Sequence, residues 1–440
     1  MRRILASIAF ALAAGTVQGD VLFENVEVIT MEDESVRKDR HVLVRGDTIV
    51  SITEAPPATG DDVIRIDGDG RFLMPGLAEM HAHIPSTANR QNAEDVLFLY
   101  LSQGLTTVRG MLGEPGHLEL RQQAAAGTID APRIYTSGPS LNGNTVESPE
   151  QAESMVRAQH AAGYDHIKIH PGLSTAEFDA LAATALELDM PFVGHVSSAY
   201  GAPHAIAVGM TGIDHLDGFI TALVPADEVT PDPGFFGLNH AKSADAGKIS
   251  EFAQTVAQAG TWVVPTETLM VNLVGPEEAD SLLSQPGMEF VGTAAKAQWR
   301  QAKAQFSAVD RAAANRFLEL RRALLVALHE AGTNIALGSD APQVFNVPGF
   351  SAHRELELYV DAGLSPFEAL RTGTVNVGRY FSADRGTVAP GQAADLLLLA
   401  ANPLEDIRNT RQVSGVMVAG RWYDAATIRA KLEEIKERIR

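Results

Sequence analysis

The sequence contains no cysteine, which excludes disulfide bonds, thiolate metal ligands and catalytic thiols. Basic residues are also in deficit, because 35 lysines and arginines against 55 aspartates and glutamates give a formal charge of −20. A surface that binds nucleic acid needs the opposite balance, so nucleic acid is a poor partner. After the N-terminus no run approaches the ~20 apolar residues of a membrane helix, and we expect no membrane span. Any metal must therefore be bound by histidine, carboxylate or an unusual ligand.

The N-terminus has the features of a secretory signal. Met1-Arg2-Arg3 is basic, and residues 4–15 are apolar but too few to span a bilayer comfortably. Val17-Gln18-Gly19 places small or modest residues where a signal peptidase reads them. We therefore predict a signal peptide over residues 1–19 and a periplasmic protein, with a buried N-terminal helix as the alternative.

Short β-rich runs separated by turns occur at both ends of the chain. Because the two ends share this texture and differ from the middle, we predict that they pair into a small β-sandwich domain of residues 20–74 and 385–424. The final residues, 425–440, have apolar positions at helical spacing and predict an amphipathic terminal helix. The β-rich runs cover residues 21–29, 41–44, 48–52, 63–66, 394–399 and 415–422.

The middle of the chain, residues 75–384, alternates apolar β-type runs with helical segments, which is typical of a parallel α/β architecture. Eight such runs can close a (β/α)8 TIM barrel, whose chemistry lies at the carboxyl ends of the strands. A doubly wound dinucleotide fold is disfavoured because Gly68-Asp69-Gly70 does not continue as Gly-x-Gly-x-x-Gly. The eight candidate strands are residues 77–83, 106–109, 133–137, 166–170, 192–196, 212–215, 262–265 and 334–338.

Residues that can bind metal follow the ends of these runs. His81 and His83 end the first run, and positions i and i+2 of a strand point to the same face. Taken alone, a His-x-His pair is equally compatible with surface or hydrogen-bonded histidines. Further polar residues at the ends of the fourth, fifth, sixth and eighth runs favour one shared site at the barrel mouth: Lys168, His195, His215 and Asp340.

Each of these residues also has a structural alternative. His195 could be a hydrogen-bonded core residue, Asp340 could cap a turn, and Lys168 could pair with a carboxylate. If two divalent cations were bound about 3.5–4 Å apart, four neutral histidines and one aspartate would leave most of their charge uncompensated. A buried lysine loses its proton readily, and the neutral amine can take up CO2 to give a carbamate that bridges two metals.

Several motifs keep both their order and their type along the chain. They are Met74-Pro75-Gly76-Leu77, His81-Ala82-His83, Gly104-Leu105-Thr106-Thr107-Val108-Arg109, Ile167-Lys168-Ile169, Gly194-His195, Asp214-His215, Gly338-Ser339-Asp340, Glu355-Leu356 and Gly386-Thr387-Val388-Ala389-Pro390-Gly391. With these motifs the sequence resembles the amidohydrolase superfamily, and in particular the branch of imidazolonepropionase-related amidohydrolases and metal-dependent Xaa-Pro dipeptidases (prolidases). The resemblance covers essentially the whole mature chain.

The resemblance implies a binuclear metal centre and a mechanism. His81, His83 and Asp340 would bind the more buried metal, carbamylated Lys168 would bridge, and His195 and His215 would bind the second metal. A hydroxide held between the metals would attack the substrate carbonyl, while Asp340 accepts its proton and passes it to the leaving nitrogen. Zinc suits these ligands best, and manganese, cobalt or iron can take the same geometry.

The sequence departs from the dipeptidase pattern where substrate would bind. Arg109 is followed by glycine rather than aspartate, and residues 137–143 lack the Gly-Gly-His stretch of many relatives. Arg109 could grip a substrate carboxylate or pair inside the barrel, and Tyr200 could orient the substrate or simply pack. The long connections 217–246 and 269–303 have the character of lids. Three residues in or near them could touch substrate, although exposure to solvent is the favoured expectation for residues in such loops: His240, Glu267 and Asn272. His353, which opens a later helix, is interpreted as structural.

We therefore predict a metal-dependent hydrolase that cleaves a carbon–nitrogen bond in a small-molecule amide, either an N-acyl amino acid or a dipeptide ending in proline or another apolar residue. One alternative keeps the metal site and cleaves a lactone or phosphotriester. A metal-free binding or assembly module is an alternative of another class, disfavoured because the ligand set is complete. A homo-oligomer is compatible with the sequence, which does not set the oligomeric state.

Overall fold

The computed structural model describes residues 19–439 of the 440-residue chain, so all of the predicted signal peptide except Gly19 lies outside the described residues. The strands are β1 Val21–Ile29, β2 Val36–Arg45, β3 Thr48–Thr53, β4 Ile64–Asp67, β5 Phe72–Pro75, β6 Leu77–Ala82, β7 Leu105–Gly110, β8 Arg133–Thr136, β9 Ile167–Ile169, β10 Phe192–Gly194, β11 Gly212–Asp214, β12 Trp262–Val264, β13 Leu396–Leu399, β14 Val413–Val418 and β15 Arg421–Asp424. The α-helices are α1 Arg90–Ser102, α2 Pro115–Ala126, α3 Pro149–Ala162, α4 Thr175–Glu187, α5 Gly201–Val208, α6 Phe219–Ala222, α7 Ile249–Ala259, α8 Glu267–Val274, α9 Ala279–Leu282, α10 Thr293–Gln305, α11 Arg311–Glu330, α12 Phe350–Ala362, α13 Pro366–Gly373, α14 Val375–Tyr380 and α15 Ala425–Ile439.

Strands from both ends of the chain share one eight-stranded sheet, in the order β15-β14-β13-β5-β1-β2-β3 with β4 paired to β1. The two ends meet where β13 runs antiparallel to β5, with Leu398 opposite Leu73. Alternate side chains of these strands form an apolar cluster of their own that includes Phe23, Val42 and Met417. The pairing of β5 with β13 brings the segments before and after the middle region into direct contact.

The C-terminal run 415–422, predicted as one β segment, is interrupted by a hairpin turn between β14 and β15. Ala419 and Gly420 have φ angles of 48° and 74°, the left-handed values that a tight two-residue turn requires. A Cβ at Gly420 would overlap the carbonyl oxygen of Gly46, so only glycine fits there.

The middle of the chain is a mixed α/β fold built on parallel strands, as the alternation of elements predicts. One sheet has the order β6-β7-β8, and the other has the order β12-β11-β10-β9. Isolated parallel bridges between Ser137 and His166 and between Leu141 and Ile169 connect the segment after β8 to β9. The carboxyl ends of the strands in each sheet therefore lie at one edge.

The eighth predicted strand, residues 334–338, forms a single parallel bridge, between Ile335 and Val263, instead of a strand. On its other side it has one bond to β6, in which the Met80 amide donates to the Leu337 carbonyl at 2.8 Å. The Leu337 amide donates to the carbonyl of Thr372 in α13 at 3.0 Å. The Leu337 amide is therefore not available to pair with a neighbouring strand. The segment still lies between β12 and β6.

The ends of several helices follow from local chemistry. Ser174 before α4 and Ser365 before α13 each form a capping box with a glutamate three residues later. The C-terminal α15 buries Ile428 and Ile435, as its spacing predicts, and Arg438 pairs with Asp95 at 2.7 Å. Within residues 19–439, no helix is both long enough and apolar enough to cross a membrane.

Candidate metal centre

The centre begins with two histidines at the end of β6. The His81 side chain is 1% exposed and that of His83 is 21% exposed. Their Nε2 atoms lie 3.3 and 2.6 Å from the same oxygen, Oδ1 of Asp340. Asp340 follows the segment at 334–338 and has a left-handed φ of 64°. The structure thus brings together three of the predicted ligands from opposite ends of the middle region.

His215 and His195 lie beside this group. The ring centroids of His215 and His81 are 4.5 Å apart, and those of His215 and His195 are 4.6 Å apart. The Nδ1 atom of His195 lies 3.1 Å from Oδ2 of Asp217, and that of His215 lies 2.8 Å from Oγ1 of Thr266. A hydrogen bond at one ring nitrogen orients the imidazole and leaves the other nitrogen as a ligand atom.

Lys168, in β9, is fully buried. Its Nζ atom is 3.2 Å from Oδ2 of Asp214, and the guanidinium of Arg109 is 3.2 Å from the other oxygen. Burial lowers the pKa of Lys168. Burial acts to raise the pKa of Asp214, but the nearby His81 and Lys168 outweigh it and hold that pKa well below its usual range. Asp214 is therefore a buried anion that contacts three predicted site residues.

Sequence reasoning did not single out Asp214 as a functional residue. The available signal is its position as the last residue of β11, directly before His215, where the other strand ends also carry site residues.

Arg109 is held by the protein itself. Its Nε atom donates to the Met80 carbonyl at 2.7 Å, and Nη1 donates to the hydroxyl of Tyr380 at 2.9 Å. Together with the contact to Asp214, these bonds use all three guanidinium nitrogens, and Arg109 is 1% exposed. This placement favours the structural pairing over a grip on substrate.

Tyr200 also has a packing environment. Its ring stacks on Phe178 with centroids 4.1 Å apart, and its buried hydroxyl has no hydrogen-bond partner among the described residues. Burial raises the pKa of this phenol, so it stays protonated. The aromatic contacts of Tyr200 run to Phe178 and His204 in the α4–α5 region, which favours packing over substrate binding.

The donors present fit a divalent metal. Ligand atoms of His81, His215 and Asp340 all lie within 4.8 Å of one another. Burial lowers the pKa of His81 to about 4, so its imidazole is neutral, and its Nδ1 has no hydrogen-bond partner among the described residues. Burial acts to raise the pKa of Asp340, but the two histidines next to it outweigh that effect and lower it. Neutral imidazoles beside an ionised carboxylate are the protonation states that metal binding requires.

Glu79, a buried residue that the sequence analysis did not select, connects the segment of Asp340 to the strand of His81. Glu79 accepts hydrogen bonds from the amide of Ser339 at 2.7 Å and from its hydroxyl at 2.6 Å. It also accepts one from the amide of His81 at 3.1 Å. Burial raises the pKa of Glu79 to about 8. Its position two residues before His81, on the same face of β6, is the signal that could have found it.

A second buried network supports His215. Arg321 of α11 donates to the carbonyl of His215 at 2.6 Å and to that of Pro265 at 2.8 Å. It also pairs with Glu267 at 2.7 Å, and the Glu267 amide donates to Glu355 at 2.7 Å. His215 has a left-handed φ of 63°, an unfavourable backbone state for a residue with a Cβ. The bond to its carbonyl helps to hold that conformation.

The three predicted lid residues are buried, not solvated. Glu267 belongs to the arginine network just described. Asn272 donates to Oδ1 of Asn346 at 2.9 Å, and His240 lies 3.0 Å from the hydroxyl of Thr221. His353 is also buried, with Nδ1 2.9 Å from the hydroxyl of Thr410. Each of these side chains holds protein segments together.

Phe236, in the connection 217–246 that was predicted as a lid, packs against two of the histidines. Its ring centroid is 4.9 Å from that of His215 and 5.8 Å from that of His195, and its φ of 48° is left-handed. Phe236 and Asp217 also line a cavity of about 650 Å3 between this lid and α5. No lysine or arginine occurs among the described residues that line this cavity. The lining is mainly apolar and has Asp217 as its one carboxylate among the described residues, so the cavity suits a group without negative charge.

His170 is another residue that the sequence analysis did not select. Its ring stacks on that of His195 with centroids 5.0 Å apart, and its Nδ1 has no hydrogen-bond partner among the described residues. Burial lowers the pKa of His170, so the ring is neutral. His170 is the last residue of the fourth candidate strand, 166–170, and this position at a strand end is the signal that could have found it.

Residues 72–423 match the amidohydrolase family, and the chain belongs to that family. The superfamily predicted from the motifs is therefore confirmed. The chain is 23% identical over 402 residues to an adenine deaminase of Ruegeria sp. (strain TM1040), which covers 88% of this chain and 55% of that protein. It is 24% identical over 367 residues to a 5-methylthioadenosine/S-adenosylhomocysteine deaminase of Halobacterium salinarum, covering 81% of this chain and 75% of that protein.

Shorter matches include 38% identity over 85 residues, 19% of each chain, to a deaminase of the same name from Caldanaerobacter subterraneus. The chain therefore spans less than two thirds of the length of several curated relatives that it matches. Among solved structures, a bottromycin amidohydrolase has a TM-score of 0.75 at 23% identity and covers 95% of this chain and 90% of its own. A Xaa-Pro dipeptidase with bound methionine has a TM-score of 0.67 at 20% identity, with 92% and 100% covered. These structures share the fold.

Proposed function

We propose that the protein hydrolyses a carbon–nitrogen bond with two divalent metal ions. The observation that carries this proposal is the convergence of ligand atoms from His81, His215 and Asp340 within 4.8 Å in a buried setting. His81, His83 and Asp340 would hold one ion, and His195 and His215 the other. Zinc fits this imidazole-rich set best, with manganese, cobalt or iron as substitutes. When bound, such ions polarise a carbonyl group and make water a stronger nucleophile at neutral pH.

Within this centre Asp340 is the proposed catalytic residue. Its lowered pKa keeps the carboxylate ionised and ready to accept a proton from the attacking water. His83, 2.6 Å from one oxygen, and Glu79, which binds the adjacent Ser339, fix its position. Asp340 then returns the proton to the leaving nitrogen, so that the amine departs neutral.

Lys168 is the proposed bridge between the two ions. Its burial and lowered pKa favour the neutral amine, which adds to CO2 and loses a proton to give a carbamate. The carbamate supplies the negative charge that a histidine-rich set lacks. The ion pair between Lys168 and Asp214 is the alternative arrangement of the same two residues.

We also propose the finer architecture that such a centre needs. The parallel strands, together with the segment at 334–338, would close into a (β/α)8 barrel over residues 75–384. The sheet of residues 20–74 and 385–424 would fold over its apolar cluster as a β-sandwich. Residues 1–19 would direct the chain to the periplasm and be removed from the mature protein.

The proposed substrate is a small amide, and the cavity beside Phe236 suits an apolar group of an N-acyl amino acid or an Xaa-Pro dipeptide. The solved Xaa-Pro dipeptidase supports this class by its fold. The curated deaminases support a second candidate, hydrolytic deamination of an adenine-type base, because their alignments span most of this chain. An uncharged lactone or phosphotriester would also suit this cavity, so the substrate screen includes both. The retained donor set disfavours a metal-free binding module.

The test is a hydrolysis screen of the zinc-loaded protein, with bicarbonate present, over acyl-amino acids, Xaa-Pro dipeptides, adenine and its nucleosides, lactones and phosphotriesters. Asp340→Asn keeps the shape of the side chain and removes the base, and Asp61→Asn, at an exposed aspartate, is the matched control. We expect turnover of an amide or amine substrate that Asp340→Asn reduces by at least a hundredfold. Turnover only of a lactone or phosphotriester, or equal rates in both variants, would contradict the proposal.

A further inference from the structure

A second cavity lies at the other end of the parallel strands from the metal centre. It has a volume of about 200 Å3 and is lined by residues of α2, the start of β8 and the hairpin of β14 and β15. Arg133 begins β8, whereas the centre's residues follow the carboxyl ends of strands. The lining contains four arginines: Arg121, Arg133, Arg385 and Arg421. This concentration of positive charge is unexpected in a chain with a formal charge of −20.

The protein compensates only two of the four charges by direct ion pairs. Arg121 pairs with Asp165 at 2.7 Å, and Arg133 pairs with Asp395 at 2.7 Å. Among the described residues, no carboxylate forms an ion pair with Arg385 or Arg421. Because these two guanidinium groups stay charged at any physiological pH, the cavity carries a local excess of about two positive charges.

The same two arginines have buried donors without acceptors. Nε and Nη1 of Arg385 and Nε of Arg421 are buried and have no hydrogen-bond partner among the described residues. Arg421 is only 5% exposed, and its Nη2 atom is held by the Ala124 carbonyl at 3.1 Å. An unpartnered buried donor is costly, and most costly on a charged group. The neighbouring groups thus fix the guanidinium of Arg421 but leave a donor unused.

The chemistry of the walls limits what can bind. Guanidinium groups match the oxygens of planar or tetrahedral oxyanions with two parallel donors. The aromatic ring of Tyr135 lies beneath Arg385, with the guanidinium carbon 5.7 Å from its centroid, and keeps that side chain at the cavity. The volume is several times the roughly 30 Å3 that a water molecule occupies in the liquid, enough for a small ion with some water.

We propose that this cavity is a binding site for a small tetrahedral oxyanion, either a free inorganic ion or the phosphate of a monoester. Arg385 and Arg421 supply the donors, and the bound ion compensates their charge. Arg385 precedes the C-terminal part of the sheet, Arg421 belongs to β15, and Arg133 belongs to β8. The ion therefore links the strand region of the middle segment to the sheet made by the chain ends.

The test is calorimetric titration of the purified protein with sodium sulfate at low ionic strength in a chloride buffer. Sulfate is the first probe because phosphate also binds divalent metals. We expect about one sulfate per chain and at least a tenfold weaker Kd in Arg385→Gln. Arg385 is only partly buried, so this variant can fold, and an unchanged thermal melt without sulfate checks that it does.

The matched control is Arg157→Gln, which removes the same charge from an exposed arginine paired with Glu187. It should bind sulfate like the unmodified protein. Inorganic phosphate and glycerol 3-phosphate then separate a free ion from a monoester, and loss of either signal in Arg385→Gln supports the site. Absence of sulfate and phosphate binding, or the same Kd in Arg385→Gln and Arg157→Gln, would overturn the proposal.

Discussion

Lys168 and Asp214 form a completely buried contact, with Nζ and Oδ2 3.2 Å apart and no exposed side-chain surface on either residue. Asp214 also contacts Arg109 and His81, so it links Lys168 in β9 to strands β7 and β6. Loss of Lys168 removes one of the donors that face the buried Asp214 carboxylate, and a buried anion with fewer donors is costly. The centre is therefore sensitive to changes at either residue.

Replacement of Lys168 by alanine tests the bridging role. We expect Lys168→Ala to lose bound metal and activity, because the proposed carbamate supplies the charge between the two ions. Acetate or propionate should restore part of both, since a small carboxylate can take the same place. Lys242→Ala, at an exposed lysine paired with Asp310, is the control and should keep its metal. Full activity of Lys168→Ala without added carboxylate would exclude the bridge.

We predict that Arg109 stabilises the protein structure and does not bind substrate. Its three bonded nitrogens hold Met80, Tyr380 and Asp214, so Arg109→Gln should lower the Tm by several degrees and reduce the bound metal. The KM ratio between a substrate with a free carboxylate and its amide-capped analogue should stay unchanged. A selective rise in KM for the free carboxylate, with an unchanged Tm, would show that Arg109 grips substrate.

Phe236 is predicted to shape the substrate pocket. Phe236→Ala removes an aromatic face beside His195 and His215, and loss of about 1–2 kcal/mol of apolar contact should raise KM roughly five- to thirtyfold. Metal content should not change. Phe252→Ala removes a ring that packs on Phe219 in an edge-on contact and serves as the control. An equal effect of both variants on KM would assign Phe236 a purely structural role.

His353 makes stability dependent on pH. Burial, together with the charge of Arg411, lowers the pKa of His353 to about 3, below the usual value near 6.5. The unfolded chain therefore takes up the proton first as pH falls, so stability is fully present above about 6.5 and is lost as pH falls towards 3. Each unit of pKa difference corresponds to about 1.4 kcal/mol.

His353→Gln should consequently lose less unfolding free energy than the unmodified protein between pH 6.5 and the acid limit of folding, as measured by urea unfolding. His204→Gln changes a partly exposed histidine that pairs with Asp179 and serves as the control. If the pH profiles of all three proteins coincide, the buried imidazole does not control acid stability.

The strand ends were readable from the sequence because a strand has a fixed period of two. His81 and His83 had to share a face, and the carboxyl ends of parallel strands had to meet. That reasoning selected His81, His215 and Asp340, which the structure brings within 4.8 Å. The same reasoning selected Lys168 and His195, which lie beside this group.

The hydrogen bonds that position the candidate ligands could not be predicted from the sequence, because they join residues far apart in the chain. Arg321 and the His215 carbonyl are 106 positions apart, and Glu79 and Ser339 are 260 apart. No local pattern marks such partners. The prediction of an eighth strand was wrong for a similar reason. The backbone amide of Leu337 donates to the carbonyl of Thr372 in α13, a contact that the local sequence does not reveal.

We propose that the histidines, Lys168 and Asp340 hold two divalent metal ions. The most direct test is elemental analysis of the purified protein by mass spectrometry, after dialysis against zinc and bicarbonate and removal of free metal. We expect close to two equivalents of zinc per chain, falling to one or fewer in Asp340→Asn. Metal near zero, not restored by zinc and bicarbonate, would show that these residues form no metal centre.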